Sequence, residues 1–212
     1  MEKTETEREL KIKASHLFAI PICQVKVEQD TDKLKECQEF ISSHNQEPSG
    51  QGNTQYRVLD KYPEIDHILL EAFEEFSGQF LDYESDFKIT TSWITKTTKG
   101  VSSSYHNHKN SFFSGVYYFD EYDKESANID FLNPLSDLSS FMLDPGRLTP
   151  VNANYVSFPP GDKTVIFFPS YLVHRVGIHK SDKPRYSLAF NIVPTGDYGS
   201  GDSMHKASWI NT

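Results

Sequence analysis

The pattern of apolar and polar residues divides the chain near residue 88. Before that point, two stretches carry apolar residues three and four positions apart, the spacing that places them on one face of a helix. After it, short apolar runs alternate with Gly, Pro, Asn and Asp, which is typical of strands joined by turns. The sequence therefore predicts a mainly β structure with flanking helices that pack on one side of a sheet.

The two predicted helices have defined starts. Asp30 and Thr31 can cap the first helix, which we expect to run to about His44. Pro63 opens the second helix, which we expect to run to about Tyr83. Their apolar stripes are Leu34, Cys37, Phe40 and Ile41 in the first helix, and Ile65, Leu69, Ala72, Phe73, Phe76, Phe80 and Leu81 in the second.

Most of the predicted strands follow residue 88. One earlier strand lies in the apolar run from Leu17 to Val27, where Pro21 marks a bulge or an edge position. Many short strands with turn residues between them are typical of a sandwich or a double-sheet jelly roll. The later strands are predicted at 88–96, 103–108, 112–119, 127–132, 153–157, 163–168, 173–178 and 185–193, with an irregular loop at 133–152.

The length of 212 residues and the lack of an internal repeat predict one domain. We expect a disordered or frayed tail at 1–15, a single jelly-roll domain with N-terminal helices at 16–195, and a flexible tail at 196–212. The net charge of −9 argues against a nucleic acid or an anionic membrane as a partner, because such partners select a basic surface. No apolar run approaches the roughly 18 residues of a membrane span.

The location is predicted from the first residues and from the cysteines. The segment Met1 to Lys13 lacks the apolar centre of a secretory signal. Cys23 and Cys37 have neither the spacing of a metal or redox motif nor that of a disulfide framework. We therefore expect two reduced thiols and a cytoplasmic protein.

Candidate chemistry begins with His106 and His108 in the predicted strand 103–108. Side chains two positions apart in a strand share a face, so the two imidazoles can hold one transition metal. A third imidazole, from His174 on a distant strand, completes a facial set with open coordination positions, which is typical of a catalytic site. The alternatives are two surface histidines beside a turn and a hydrogen-bonded core histidine at position 174.

The strand predicted at 185–193 has two different faces. Its even positions are apolar, whereas its odd positions carry Arg185, Ser187, Ala189 and Asn191. An inward arginine is costly unless it is paired, and its planar fork suits the bidentate capture of a carboxylate. The hydroxyl of Ser187 can share that carboxylate. The alternative is an Arg185 that forms a surface salt bridge with an acid of the protein.

Together these segments resemble the Fe(II)- and 2-oxoglutarate-dependent oxygenase superfamily, in a prolyl-hydroxylase-like branch of small oxygenases with an HxH motif. The HxH at 106–108 stands in place of the superfamily's HxD/E, and His174 and the RxS triplet at 185–187 follow in order. The segments 114–119 (SGVYYF) and 167–176 (FFPSYLVHRV) are similar to the YYL and FFP…HxV segments of these enzymes. The resemblance covers 88–193 well and implies a double-stranded β-helix, a cupin-like jelly roll.

The resemblance also implies the ligands and the reaction. It implies His106, His108 and His174 as ligands of Fe(II). The residues it implies around 2-oxoglutarate are Arg185 and Ser187 at the distal carboxylate, Tyr118 as a further donor, and Asn191 near either the co-substrate or the surroundings of the metal. With O2, such an enzyme would hydroxylate a small-molecule or peptide substrate and release succinate and CO2.

The third histidine departs from the common pattern, because three neutral imidazoles lend no negative charge to the metal. Asp130 is the nearest candidate for a missing carboxylate, although a strand or turn acid is the favoured interpretation. A non-catalytic cupin-like module that binds a metal or a small acid is the alternative function, and it accounts for Arg185 and Ser187 less well. The remaining histidines, interpreted as solvent-facing or structural, are His16, His44, His67, His179 and His205.

Overall fold

The computed structural model describes residues 13–15, 19–28, 34–36, 38–39, 51–53, 57–136 and 143–207. This part of the chain is mainly β, as predicted. Its strands are β1 (Cys23–Lys26), β2 (Gln51–Asn53), β3 (Phe87–Thr97), β4 (Phe113–Tyr118), β5 (Ile129–Leu132), β6 (Tyr155–Phe158), β7 (Thr164–Pro169), β8 (His174–Val176), β9 (Arg185–Pro194), β10 (Gly196–Tyr198) and β11 (His205–Ala207). Its helical elements are the α-helix α1 (Pro63–Phe76), the 3₁₀ turns Val58–Lys61 and Gly201–Ser203, and the π-helical turn Ser77–Leu81.

The strands form two facing sheets and a small ribbon, and every neighbouring pair is antiparallel. The large sheet has the order β1-β7-β4-β9-β3-β2, the small sheet has the order β6-β5-β8, and β10 pairs with β11. Apolar side chains of β4, β5 and β7 form one core in the space between the two sheets. The predicted jelly-roll architecture is therefore confirmed, and the inter-sheet space is where the candidate site lies.

A second core lies on the other face of the large sheet, where α1 packs. Ile65, Leu69, Phe73 and Phe76 of α1 are buried in it, which confirms a helix on one side of the sheet. Burying each such side chain stabilises the fold by about 1.5–3 kcal/mol. Of the first predicted helix, residues 34–36 and 38–39 are helical, and the rest lies outside the described residues.

The end of the second helix differs from the prediction. The helix continues only to Leu81, and its last turn is π-helical, with the N–H of Asp82 donating to the carbonyl of Ser77 at 2.8 Å. A bond that spans five residues rotates the following side chains off the α-helical stripe. For this reason Phe80, which was predicted on the apolar stripe, is 74% exposed.

The predicted strand 103–108 is wrong as a regular strand. In this segment only His106 forms an isolated bridge, with His174, and the amide of His108 instead donates to the carbonyl of Ser170 at 3.0 Å. The segment therefore changes partner between the two histidines, so no continuous ladder forms. Pro21 lies before β1 and not within it, and no strand occurs in the described residues of 133–152.

Alternation along β9 divides its residues between the two cores. Tyr186, Leu188, Phe190 and Ile192 belong to the core under α1, as the even positions predict. The odd positions therefore face the small sheet. Phe190 also lies over Gly115 of β4, where the ring occupies the position that a Cβ would need.

The division into tails and one domain stays a prediction, although residues assigned to the C-terminal tail pair as β10 and β11. Among the described residues, no helix has the length and apolar character needed to cross a membrane.

Candidate active site

The structure brings His106, His108 and His174 together, as predicted. Ring nitrogens of the three side chains lie within 4.8 Å of one another. Backbone hydrogen bonds hold two of these residues side by side, because the amides of His106 and His174 each donate to the other's carbonyl at 2.9 Å. His108 approaches from the same segment as His106, and its ring centroid lies 5.1 Å from that of His174. Three nitrogen donors this close can share one metal ion.

Hydrogen bonds determine which nitrogen of each ring is available. Nδ1 of His106 lies 2.9 Å from the carbonyl oxygen of Ser104, and Nδ1 of His174 lies 2.9 Å from that of Leu172. Nδ1 of His108 lies 2.6 Å from the side-chain oxygen of Asn191. Because these oxygens only accept, each Nδ1 carries the proton and donates it. All three rings therefore keep an unprotonated Nε2 for a metal.

Burial keeps two of these imidazoles neutral. It lowers the pKa of His174 to about 3, and it also lowers the pKa of His108. The ring of His174 packs against Phe168 and Phe131, with centroid distances of 4.7 and 5.9 Å. A metal ligand must be deprotonated, so this apolar surrounding favours metal binding at neutral pH.

Arg185 lies fully inside the fold, with 1% of its surface exposed. Its Nε donates to the carbonyl of Ala127 at 3.1 Å, and its two terminal nitrogens donate to Ser187 Oγ at 3.2 Å and to Tyr118 Oη at 3.0 Å. Among the described residues, no carboxylate forms an ion pair with this guanidinium. The alternative of a surface salt bridge is therefore excluded for that part of the chain, and a buried positive charge is left to be neutralised.

Sequence reasoning missed Thr97, which lies beside Arg185. Thr97 is the register partner of Arg185 in the β3–β9 ladder, so both side chains face the inter-sheet space. Its hydroxyl is buried and has no hydrogen-bond partner in the part of the chain that the structure describes. A buried polar atom without a partner costs free energy, and a bound ligand removes that cost. The signal that identifies Thr97 is the cross-strand register, which the sequence alone does not provide.

Asn191 is six residues further along β9 than Arg185. The sequence placed Asn191 near either the co-substrate or the metal. In the structure its side chain contacts His108, which favours the position near the metal. Ser114 and Thr91, also missed from the sequence, contact the same amide group.

Asp130 is separate from the histidines. It accepts hydrogen bonds from Ser157 Oγ at 2.6 Å and from Arg175 Nε at 3.1 Å. Its register partner in β8 is Arg175, the neighbour of His174, so Asp130 and His174 lie on opposite faces of the small sheet. This geometry does not support Asp130 as a missing metal ligand and agrees with a strand acid.

The remaining histidines do not join the cluster. His67 and His205 are exposed, whereas His16 and His44 lie outside the described residues. His179 is fully buried, and its Nδ1 accepts from the amide of Ala127 at 3.2 Å while Nε2 donates to the carbonyl of Lys183 at 2.7 Å. It is a structural histidine, one of the two interpretations predicted.

A cleft of about 380 Å³ lies beside His108, which is the member of the cluster that lines it. Besides His108, four aromatic residues and one cation line it, namely Tyr83, Phe112, Phe113, Tyr171 and Lys109.

Residues 91–191 match a protein family described as "Putative 2OG-Fe(II) oxygenase". This confirms the resemblance predicted from the motifs. The matched segment includes the three histidines, Arg185 and Asn191. The oxygenases of this family use iron, 2-oxoglutarate and O2. A non-catalytic binding module would also account for the histidines, but it gives no reason for a buried arginine without an acid.

Solved structures of low sequence identity share the fold. The epimerase SnoN from nogalamycin biosynthesis aligns with a TM-score of 0.61 and 14% identity, over 85% of this chain and 79% of its own. A prolyl-4-hydroxylase of Pseudomonas putida aligns with a TM-score of 0.51 and 15% identity, over 81% and 92%. A 2OG-Fe(II) oxygenase family protein of Burkholderia pseudomallei aligns with a TM-score of 0.55 and 14% identity, over 81% and 83%.

One of these neighbours is known with its cofactors. SnoN has been solved in complex with Fe3+, alpha ketoglutarate and nogalamycin RO. No curated protein matches this sequence significantly. The comparisons agree with the predicted double-stranded β-helix.

Proposed function

We propose that this protein is an Fe(II)- and 2-oxoglutarate-dependent dioxygenase that hydroxylates an organic substrate and releases succinate and CO2. One observation supports it above all. The imidazole cluster and the buried guanidinium of Arg185, which has no carboxylate partner among the described residues, both border the core between the two sheets. His174 packs there against Phe131 and Phe168, and Arg185 donates to Tyr118 of the same core. The imidazole cluster suits a divalent metal, and the guanidinium suits the far carboxylate of a small diacid.

In this proposal, His106, His108 and His174 hold iron through Nε2. The donor set fits, because all three Nδ1 atoms are engaged by oxygen acceptors and the rings approach one another closely. Three protein donors leave coordination positions open, as a catalytic metal requires.

Arg185 binds the distal carboxylate of 2-oxoglutarate. A guanidinium has five N–H donors, of which the three bonds to Ala127, Ser187 and Tyr118 occupy three. One N–H therefore remains on each terminal nitrogen, and these two lie in the plane of the fork. That arrangement suits bidentate capture of a carboxylate.

Hydroxyl groups lie beside the same guanidinium and can also bind the carboxylate. Ser187 and Tyr118 each accept a hydrogen bond from Arg185, so their own protons are free to donate to a carboxylate. Burial raises the pKa of Tyr118, so that its phenol stays protonated and remains a donor. Thr97 adds a third hydroxyl, which has no partner among the described residues.

Iron and 2-oxoglutarate together supply the activation of dioxygen, and the protein supplies orientation and a dry space. Phe131, Phe168 and Ile129 are buried in the inter-sheet core and limit the access of water to it. Overall, the substrate, 2-oxoglutarate and O2 are converted to the hydroxylated substrate, succinate and CO2, which balances all atoms.

We propose that the substrate is a small molecule or a peptide that reaches the metal from the cleft beside His108. The aromatic wall of that cleft provides flat apolar surfaces, and Lys109 provides a cation at its edge. A cytoplasmic location stays a prediction.

The test is the formation of succinate from 2-oxoglutarate with Fe(II) and O2, measured with a panel of peptides and small metabolites. We expect substrate-dependent succinate release, and slow uncoupled release without substrate. The His174→Ala variant should lose both, whereas the exposed arginine variant Arg57→Met should retain them. If the unaltered protein binds no 2-oxoglutarate in calorimetry and forms no succinate with any substrate, the proposal is wrong.

A further inference from the structure

We propose that Asn191 is the positioning residue that keeps His108 in the tautomer able to bind metal. This inference rests on the proposed function, because it assigns how the third metal ligand is held. His106 and His174 donate Nδ1–H to backbone carbonyls of their own segments. His108 alone among the three donates to a side chain.

The amide of Asn191 is oriented by three contacts. Its Oδ1 accepts from His108 Nδ1 at 2.6 Å and from the hydroxyl of Ser114 at 2.9 Å, and its Nδ2 donates to Thr91 Oγ1 at 2.9 Å. Ser114 Oγ also lies 3.0 Å from His108 Nδ1, so Asn191 Oδ1 is the nearer of two oxygens at that nitrogen. Ser114 Oγ lies 2.7 Å from Ser170 Oγ, so it can accept from Ser170 while it donates to Asn191. Two donors converge on one oxygen, and that oxygen therefore faces His108.

This network joins four parts of the fold. Asn191 lies on β9, and Thr91 and Ser114 are its register partners on β3 and β4. Ser170, directly after β7, also accepts the backbone amide of His108. Ser114 and Ser170 are fully buried, so water does not compete for their hydrogen bonds. The network therefore holds both the ring and the backbone of His108.

An irregularity in β3 makes this arrangement possible. The register between β3 and β9 shifts between Ile89 and Thr91, which is a β-bulge. A one-residue bulge moves the following side chains to the other face of the sheet. Thr91 consequently lies opposite Asn191 in the inter-sheet space, where its hydroxyl can accept from the amide.

The consequence for the metal follows from the chemistry of imidazole. An acceptor at Nδ1 places the proton there, frees Nε2 and makes Nε2 a better donor. If the acceptor is removed, the ring can rotate and its proton can move to Nε2, where it blocks metal binding. Asn191 supplies this acceptor without adding a charge to a site whose three protein ligands are neutral.

The experiment compares Co2+ affinity, by calorimetry of protein stripped with a chelator, and the visible absorption spectrum of bound Co2+. Asn191→Leu removes the acceptor at similar volume, and we expect about a 10- to 100-fold loss of Co2+ affinity. Asn191→Asp keeps an acceptor and should stay within about tenfold of the unaltered protein. Asn154→Leu, on an exposed amide, is the matched control and should change nothing.

Two further variants separate the possible failures. Ser114→Ala removes one of the two donors to Asn191 Oδ1 and the longer, 3.0 Å contact of Ser114 Oγ with His108 Nδ1. It should lower Co2+ affinity less than Asn191→Leu does, because the nearer acceptor Asn191 Oδ1 remains, and it serves as the test if Asn191→Leu does not fold. If His108→Ala lowers Co2+ affinity but neither Asn191→Leu nor Ser114→Ala does, the role of Asn191 is overturned and the metal site stands. If His108→Ala and His174→Ala also bind Co2+ normally, the proposed function fails as well.

Discussion

Thr97 lies directly opposite Arg185 in the β3–β9 ladder, and among the described residues each side chain lacks the partner that its burial calls for. The hydroxyl of Thr97 makes no hydrogen bond, and the guanidinium of Arg185 has no carboxylate. Each is costly when buried alone, yet the two side chains project from the same face of the sheet at paired positions. A dicarboxylate bound between them would remove both costs at once.

Replacing the hydroxyl of Thr97 tests this relationship. Thr97→Val keeps the shape and removes the donor, so we expect 2-oxoglutarate affinity to fall by about 1 kcal/mol, or roughly fivefold, in calorimetry with a bound divalent metal. Thr97→Ser should retain the affinity. Ser77→Ala removes another buried hydroxyl that has no partner among the described residues. Ser77 begins the π-helical turn after α1, so its replacement should leave the affinity unchanged. Equal affinities of Thr97→Val and the unaltered protein would exclude a contact with the co-substrate.

Arg185 should be essential for the same ligand. Arg185→Met leaves the carboxylate without its charged partner, and we expect a loss of about 2–5 kcal/mol in 2-oxoglutarate binding. Arg185→Lys keeps the charge but loses the fork, so an intermediate loss is expected. Without 2-oxoglutarate, Arg185→Met should unfold at an equal or higher denaturant concentration, because it removes an unpaired buried charge. A large loss of stability without 2-oxoglutarate would instead indicate a structural arginine.

The low pKa of His174 predicts how stability depends on pH in the metal-free protein. The folded side chain stays neutral down to about pH 3, whereas the ordinary pKa is 6.5. Between these values the unfolded chain binds a proton that the folded chain does not, so the free energy of unfolding falls as the pH falls from about 6.5 to 3. One such group gives a slope of up to about 1.4 kcal/mol per pH unit.

Denaturant unfolding of the metal-free protein between pH 7 and pH 4 measures this slope. His174→Gln, which cannot titrate, should be less steep by up to the contribution of one proton. His108, whose pKa is also lowered, contributes in the same direction and remains in that variant. If His174→Gln shows the same pH dependence as the unaltered protein, His174 is not the group responsible.

Gly115 should be required by the packing of Phe190. Gly115→Ala places a Cβ into the ring of Phe190, and we expect a destabilisation of about 1–3 kcal/mol from overpacking. Gly78→Ala is the matched control, since nothing lies within 4 Å of its Cβ and alanine favours helical backbone. It should be neutral or stabilising by up to about 1 kcal/mol. Chemical denaturation of both variants measures the difference, and a neutral Gly115→Ala would contradict the close approach of β4 and Phe190.

The sequence by itself determined the features that depend on short-range periodicity. The alternation in β9 identifies its buried face, the spacing of Ile65, Leu69 and Phe73 identifies α1, and the order of HxH, His174 and RxS predicts the resemblance to 2OG-Fe(II) oxygenases. These patterns are readable because a helix and a strand each repeat their side-chain direction over a few residues. The prediction that Phe80 is buried was wrong, because one π-helical turn changes the repeat without any sign in the sequence.

The tertiary structure alone decided which residues meet. The sequence placed His106 and His108 on a strand, but the segment is an irregular stretch whose partners change between the two residues. Cross-strand register places three further residues beside the candidate site, namely Thr97, Ser114 and Thr91. A side-chain hydrogen bond between residues far apart in the sequence connects Asn191 with His108. Register depends on the packing of whole sheets and on a bulge in β3, so no local pattern in the chain could have specified it.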